Sequence, residues 1–239
     1  MLIKNKSVLV IGMGPINEKD LEQIKNIKFD ICYACGRCIS STKYLNITKR
    51  ILSIPEGRIA GENFWIKADK KRGEFQGYGR LSNEINFNLA DECIIFTTKN
   101  AFNSSEKLRN AVREKMPKLK VSYKRYISFF FESFRLLGLF DFLYVLGLKG
   151  FLLALPSFLL NRQIRKWGYQ GPSSGFKTII KALNVSNKVT IIGFTLKDRL
   201  HAQVENKVIN YPKSSIKYHL VDDKKIYKVL KNKINFLGN

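Results

Sequence analysis

Ser7–Ile11 (SVLVI) is apolar throughout after its first residue and stops at Gly12-Met13-Gly14-Pro15. The segment INEKDLEQIKNI follows, and its Ile16, Leu21 and Ile24 keep a helical period. Strand, glycine turn and helix together form the opening of an α/β unit of the kind that binds nucleotides. The reverse order returns late in the chain: a helix over Phe176–Leu183 (FKTIIKAL), a turn over Asn184–Asn187, and a strand Lys188–Ile192 (KVTII) that ends at Gly193-Phe194.

Between these ends the pattern predicts strands at Phe29–Cys35 and Glu92–Thr97 and a short one at Val121–Tyr123. A helix is expected over Ser104–Lys115, with Ser104 or Ser105 as its cap, and a last helix over Asp222–Lys231. The expected fold class is therefore α/β: a Rossmann-like, mostly parallel sheet flanked by helices. At 239 residues it is expected to form one domain over 1–239.

One segment breaks the pattern. Residues 126–160 read YISFFFESFRLLGLFDFLYVLGLKGFLLALPSFLL, and the longest stretch without charge, Gly150–Leu160, is 11 residues long and holds Pro156. A spanning helix needs about 20 mainly apolar residues, so the segment is too short to cross a bilayer. Lys118, Lys120, Lys124 and Arg125 precede it, and Arg162, Arg165, Lys166 and Trp167 follow. Over 126–167 this suits an apolar helical insertion, either an element lying on an anionic membrane surface or a buried helical lid or subdomain.

Forty-two Lys and Arg against 19 Asp and Glu give a formal net charge of +23. That surplus favours polyanionic partners: phosphorylated substrates, an anionic membrane or nucleic acid. The N-terminal run has no secretory cleavage pattern and reads as a strand, so the expected setting is reducing cytoplasm, with the cysteines as free thiols.

Those cysteines carry a competing reading. Cys32, Cys35 and Cys38 stand at C-x-x-C-x-x-C spacing, with Cys93 as the fourth, and such thiols could hold a metal or cluster. Yet a bacterial ferredoxin run needs a fourth cysteine three residues on, where Ser41 stands. A non-catalytic nucleic-acid module is a second rival, because aromatics interleave with lysines in KYLNITKR and SYKRY.

The loop Gly171-Pro172-Ser173-Ser174-Gly175 opens the helix FKTIIKAL. First-turn amides without intrahelical partners make such a loop a ready anion site, to which the two serine hydroxyls add donors. The turn Gly12-x-Gly14 lacks the third glycine of a dinucleotide fingerprint, since Asn17 stands there, which disfavours hydride transfer. No D-x-D occurs, which argues against metal-dependent enzymes that use diphosphonucleotide sugars.

In order, VLVIGMGP, FDICYAC, GPSSGFKTIIKALNVSNKVTIIGF, then His201-Ala202-Gln203-Val204-Glu205, then His219, the chain resembles the animal-type and bacterial sialyltransferases. The resemblance covers roughly the first 40 residues and about 169–230, and the middle of the chain shares none of it. It implies a single-domain GT-A-variant fold. The implied activity is transfer of a sugar from a CMP-activated donor, typically CMP-sialic acid, to a glycan hydroxyl, with inversion and with no metal or other cofactor.

By position, His219 looks like the general base that takes the acceptor proton, and His201 like the group that stabilises the departing CMP phosphate. Donor-binding residues carried over in the same way are Gly12, Met13, Gly14, Pro15, Ala34, Cys35, Gly36, Ser173, Ser174, Gly175, Gly193 and Phe194. Met13 stands where these families often place asparagine, and Cys35 or Gly36 where the donor-contacting asparagine falls. A related acid sugar such as Kdo or another nonulosonate therefore stands beside sialic acid as the expected donor. The Lys-, Asn- and Ile-rich chain looks like a bacterial enzyme peripheral to the inner membrane, and a lipooligosaccharide or capsule precursor is the expected acceptor.

Overall fold

A computed structural model describes residues 5–12, 14, 16, 18–55, 85–97, 106–146, 174–194, 200–204, 207–210 and 223–237. In chain order the elements of the main body are β1 (Ser7–Ile11), α1 (Glu18–Lys25), β2 (Phe29–Cys35), a 3-10 helix (Gly36–Tyr44) and β3 (Ile47–Pro55). Then come β4 (Glu92–Thr97), α2 (Glu106–Lys115), β5 (Lys120–Arg125) and α3 (Tyr126–Leu146). They are followed by α4 (Ser174–Leu183), β6 (Lys188–Ile192), a hairpin of β7 (Leu200–Val204) and β8 (Lys207–Asn210), helix α5 over residues 223–230, and β9 (Ile234–Phe236).

Seven strands form one sheet in the order β5-β4-β3-β2-β1-β6-β9, and every pairing within it is parallel. The fold is α/β and Rossmann-like, with a more regular main sheet than the mostly parallel one expected. The antiparallel pair β7-β8 forms a separate sheet.

Double burial explains the apolar runs. Val8 and Val10 pack with Ile31, Tyr33, Ile51, Ile94 and Phe96 on one face, against α3, α4 and α5. Leu9 and Ile11 point the other way, with Cys32 and Ile24 of α1. Leu52, Ile54, Cys93 and Ile95 meet Val112 of α2 and Ile39 of the 3-10 helix on that second face. A strand alternates its side chains between faces, so only a strand covered twice is apolar at consecutive positions.

The chain first builds outward from β1 to β5 and then returns to place β6 on the free side of β1. Right-handed crossovers running in opposite directions put their helices on opposite faces. That is why the helices before β5 and those after it lie on different sides of the sheet. The direction of winding reverses between β1 and β6, and in open parallel sheets the crevice outside the carboxyl ends of such a pair is where ligands bind.

The segment 126–167 is described as far as residue 146. There α3 is bent at Gly138, whose φ of 76° lies outside the helical region. Its Leu137, Phe142 and Val145 enter the same core as β1 and β2. No helix among the described residues is long and apolar enough to cross a membrane.

Phe142 is fully buried and meets Phe134 edge-on at 5.5 Å, whereas Phe140, two residues away, is 85% exposed. Phe142→Ala is expected to cost about 3–5 kcal/mol by urea unfolding. Phe140→Ala should stay within about 0.5 kcal/mol of the wild type. Equal effects would mean that α3 does not dock on the sheet through this side.

Candidate functional site

At the β1/β6 switch point the two glycine turns are joined to each other. Gly12 N–H donates to the Ile192 carbonyl at 2.8 Å, continuing the ladder beyond the strand, and Gly14 N–H donates to the Gly193 carbonyl at 2.6 Å. A Cβ on Gly12 would overlap the Gly193 carbonyl oxygen and lie 2.8 Å from the Phe194 ring. Gly193 itself has φ 69°, the left-handed region that favours glycine.

A fourth glycine at this place, Gly175, belongs to α4. A Cβ on Gly175 would stand 2.6 Å from the edge of the same Phe194 ring, which also packs edge-on against Phe176 at 5.5 Å. Phe194 thus wedges between the turn after β1 and the first turn of α4, and it is almost fully buried. Gly12, Gly14, Gly175, Gly193 and Phe194 come together at the switch point. Its glycines permit close approach of protein to protein as well as any approach of a ligand.

Cys35 and Ser53 lie beside this junction. They are register partners at the carboxyl ends of β2 and β3, so their side chains share a face. Thr178, one turn into α4, shares a 2.7 Å hydrogen bond with the Ser53 hydroxyl, and its Oγ1 accepts from the Cys35 thiol at 3.7 Å. Sequence reasoning missed Thr178 and Ser53. Their signal was a hydroxyl residue on the otherwise apolar side of FKTIIKAL and another within the run ILSIP.

Other predicted residues fall elsewhere. Ala34 points to the opposite face of the sheet, among Ile39, Leu52 and Cys93. Gly36 opens the 3-10 helix with φ 58°. Ser174 is the first residue of α4. His201 lies on β7, paired with Ile209, in the hairpin separate from the main sheet. Met13, Pro15, Ser173 and His219 lie outside the described residues.

The C-x-x-C-x-x-C run does not form a ligand set. Strand alternation sends Cys32 and Cys35 to opposite faces, and Cys38 sits in the 3-10 helix. Cys93 packs in another cluster, with Ala34. Among the described residues no group of three or more His, Cys, Asp and Glu is placed to hold a metal ion. Burial pushes the Cys93 thiol up to about 12 and Cys32 higher still, where a second, smaller cause is the neighbouring Cys35. Both are inert packing thiols at neutral pH.

KYLNITKR also changes meaning. Its last residues begin β3, a central strand, and the Arg50 guanidinium donates to the carbonyls of Ile47, Thr42 and Leu45. That arginine holds a backbone turn instead of presenting its charge to a phosphate.

Helix α4 is fixed by further polar contacts. Lys177 is fully buried, and desolvation lowers its pKa to about 8 against the opposing pull of Asp223 on α5. Lys181 and Lys124 both contact Glu132 of α3, at 3.7 and 2.5 Å. A shallow cleft lined by Ser7, Lys188, Asn232 and Lys233 lies at the amino ends of β1, β6 and β9, the edge opposite the switch point.

No family model and no curated protein matches the chain. Among solved structures it is similar to a tyrosine-to-phenylalanine variant of the sialyltransferase CST-II in complex with CMP. The identity is 11%, the match covers 97% of this chain and 81% of that one, and the TM-score is 0.43. A likeness of that size leaves the functional reading to rest on this chain's own residues.

Two outcomes follow from the site. Gly12→Ala pushes a methyl group into the Gly193 carbonyl and the Phe194 ring, and should cost about 1–3 kcal/mol by urea unfolding with the far-UV spectrum unchanged. For Lys177, a folded pKa of about 8 below the ordinary 10.5 means the native state gives up its proton first. Its contribution to stability is then full above 10.5 and lost as pH falls through about 8. The wild type should therefore gain on Lys177→Met as pH rises across that window, and a flat difference would contradict it.

Proposed function

We propose that this chain is a glycosyltransferase that moves an acid sugar, sialic acid or a related nonulosonate or Kdo, from a CMP-activated donor to a glycan or glycolipid hydroxyl. The observation that carries the reading is the meeting, at the switch point of a parallel sheet, of the Gly12-Gly14 turn, the Gly193-Phe194 turn and the first turn of α4. This is where such sheets take nucleotides, and these are the segments that the sialyltransferase resemblance selects.

The chemistry assigned to the site needs little beyond these parts. The amides of Gly12 and Gly14 are engaged with the carbonyls of Ile192 and Gly193, so in this reading the donor phosphate falls to the first-turn amides of α4 at Ser174 and Gly175. Positive potential there stabilises negative charge as the CMP leaving group departs. In this reading His201 adds to that stabilisation, and His219 removes the acceptor proton as its oxygen attacks, inverting the anomeric centre. A nucleoside monophosphate leaving group can be handled by such donors without a divalent ion.

The proposal is tested by thermal shift with CMP and CMP-sugars, with AMP as control. A cytidine nucleotide at 100 times its Kd should stabilise the fold by about 2.7 kcal/mol. No shift with any cytidine nucleotide would remove the reading. His219→Ala should lose transfer and keep the CMP shift, and retained turnover would move the base elsewhere.

A further inference from the structure

Several large apolar side chains of α3 face outward. Phe131, Phe134, Leu139, Phe140 and Tyr144 are all exposed, Phe140 by 85%. Single exposed apolar residues are ordinary, but a cluster of large ones on one helix marks an interaction surface. Cations gather round it. Arg135 is exposed on the same helix and reaches Asn184 Oδ1 at 2.8 Å, Lys228 of α5 holds its ammonium 5.6 Å above the Tyr144 ring, and Lys233 reaches the Leu136 carbonyl at 3.4 Å. Against them stands Asp141, the one exposed carboxylate on α3, since Glu132 is turned inward between Lys124 and Lys181.

We propose that this side of α3 docks on the surface of an anionic lipid bilayer. The combination of groups selects the partner. A second copy of the chain would bring the same cations and another net charge of +23 against the first. A nucleic-acid duplex would meet the cations but, with its bases already stacked, leave the phenylalanines and Leu139 without a partner. A bilayer with anionic headgroups supplies both, with rings entering the interface and Lys and Arg lying at the phosphate level.

The docking side is separate from the crevice. Asn184 follows the end of α4 and Lys233 precedes β9, so both mark the amino edge of the sheet, while the crevice lies at its carboxyl edge. Lipid binding can therefore be read without donor or acceptor, and it stands or falls apart from the transfer reading.

The test is flotation of the full chain with vesicles of phosphatidylcholine alone and of phosphatidylcholine with phosphatidylglycerol. The chain should float with the anionic vesicles and stay behind with the neutral ones. Phe140→Asp should lower partitioning by about tenfold or more, because the side chain of an exposed phenylalanine contributes roughly 1.5–3 kcal/mol when it leaves water. Lys228→Ala should lower it by about fivefold, the equivalent of ~1 kcal/mol for one cation at an anionic surface. Unchanged urea midpoints in both variants would confine these effects to the surface. Full binding by Phe140→Asp, equal binding to both vesicle types, or no flotation with either overturns the proposal. So does a stable dimer that Phe140→Asp dissociates.

Discussion

The parallel pairing of β6 with β1 is the contact on which the rest of the structure depends. The two strands are far apart in sequence, yet Ser7–Ile11 match Lys188–Ile192 residue for residue, and the ladder runs on into the Gly12 amide. Without that pairing the sheet would be a one-way ribbon from β1 to β5. With it, the helices divide between two faces and the direction of winding reverses between β1 and β6. The cost is a crowded junction, met by glycine on both turns and filled by a single phenylalanine ring.

The charge imbalance acts on the same architecture. Carboxylates are scarce, and two of them serve two lysines each: Glu92 at Lys49 and Lys120, Glu132 at Lys124 and Lys181. The hydrogen bond from Lys49 is the main reason the Glu92 carboxyl lies below its usual range. These bridges join β3 to β4 and β5 at the amino edge of the sheet, and β5 to α3 and α4. Partly exposed pairs of this kind add little stability each, so their value is register and placement more than energy.

Legibility in the sequence followed burial. β1, β2, β4 and β6 were readable to their ends because each is covered on both faces and is therefore apolar at nearly every position. β3 was not, although it sits near the middle of the sheet, because Lys49 and Arg50 interrupt ITKRILSIP. One makes an ion pair at the sheet's amino edge, and the other bends back onto local carbonyls. Nothing local marks β9, a three-residue strand that exists only because β6 offers an open edge. The cysteine run misled for a related reason: spacing suggests a shared ligand, whereas strand alternation separates Cys32 from Cys35.

For the site, the sequence indicated which turns meet but not what holds them. That role falls to α4. Its first turn meets the Phe194 ring, Thr178 bonds to β3 and β2, Lys177 faces Asp223 of α5, and Lys181 reaches Glu132 of α3. Apolar packing alone would let a helix slide by a fraction of an ångström at little cost. Directional contacts to three neighbours do not, because any shift lengthens at least one of them, and buried polar groups are costly to leave unmatched. The start of α4 is thus held in place by its neighbours, and in the proposed transfer reaction a helix terminus fixed in this way would stabilise developing charge without first spending energy on its own rearrangement.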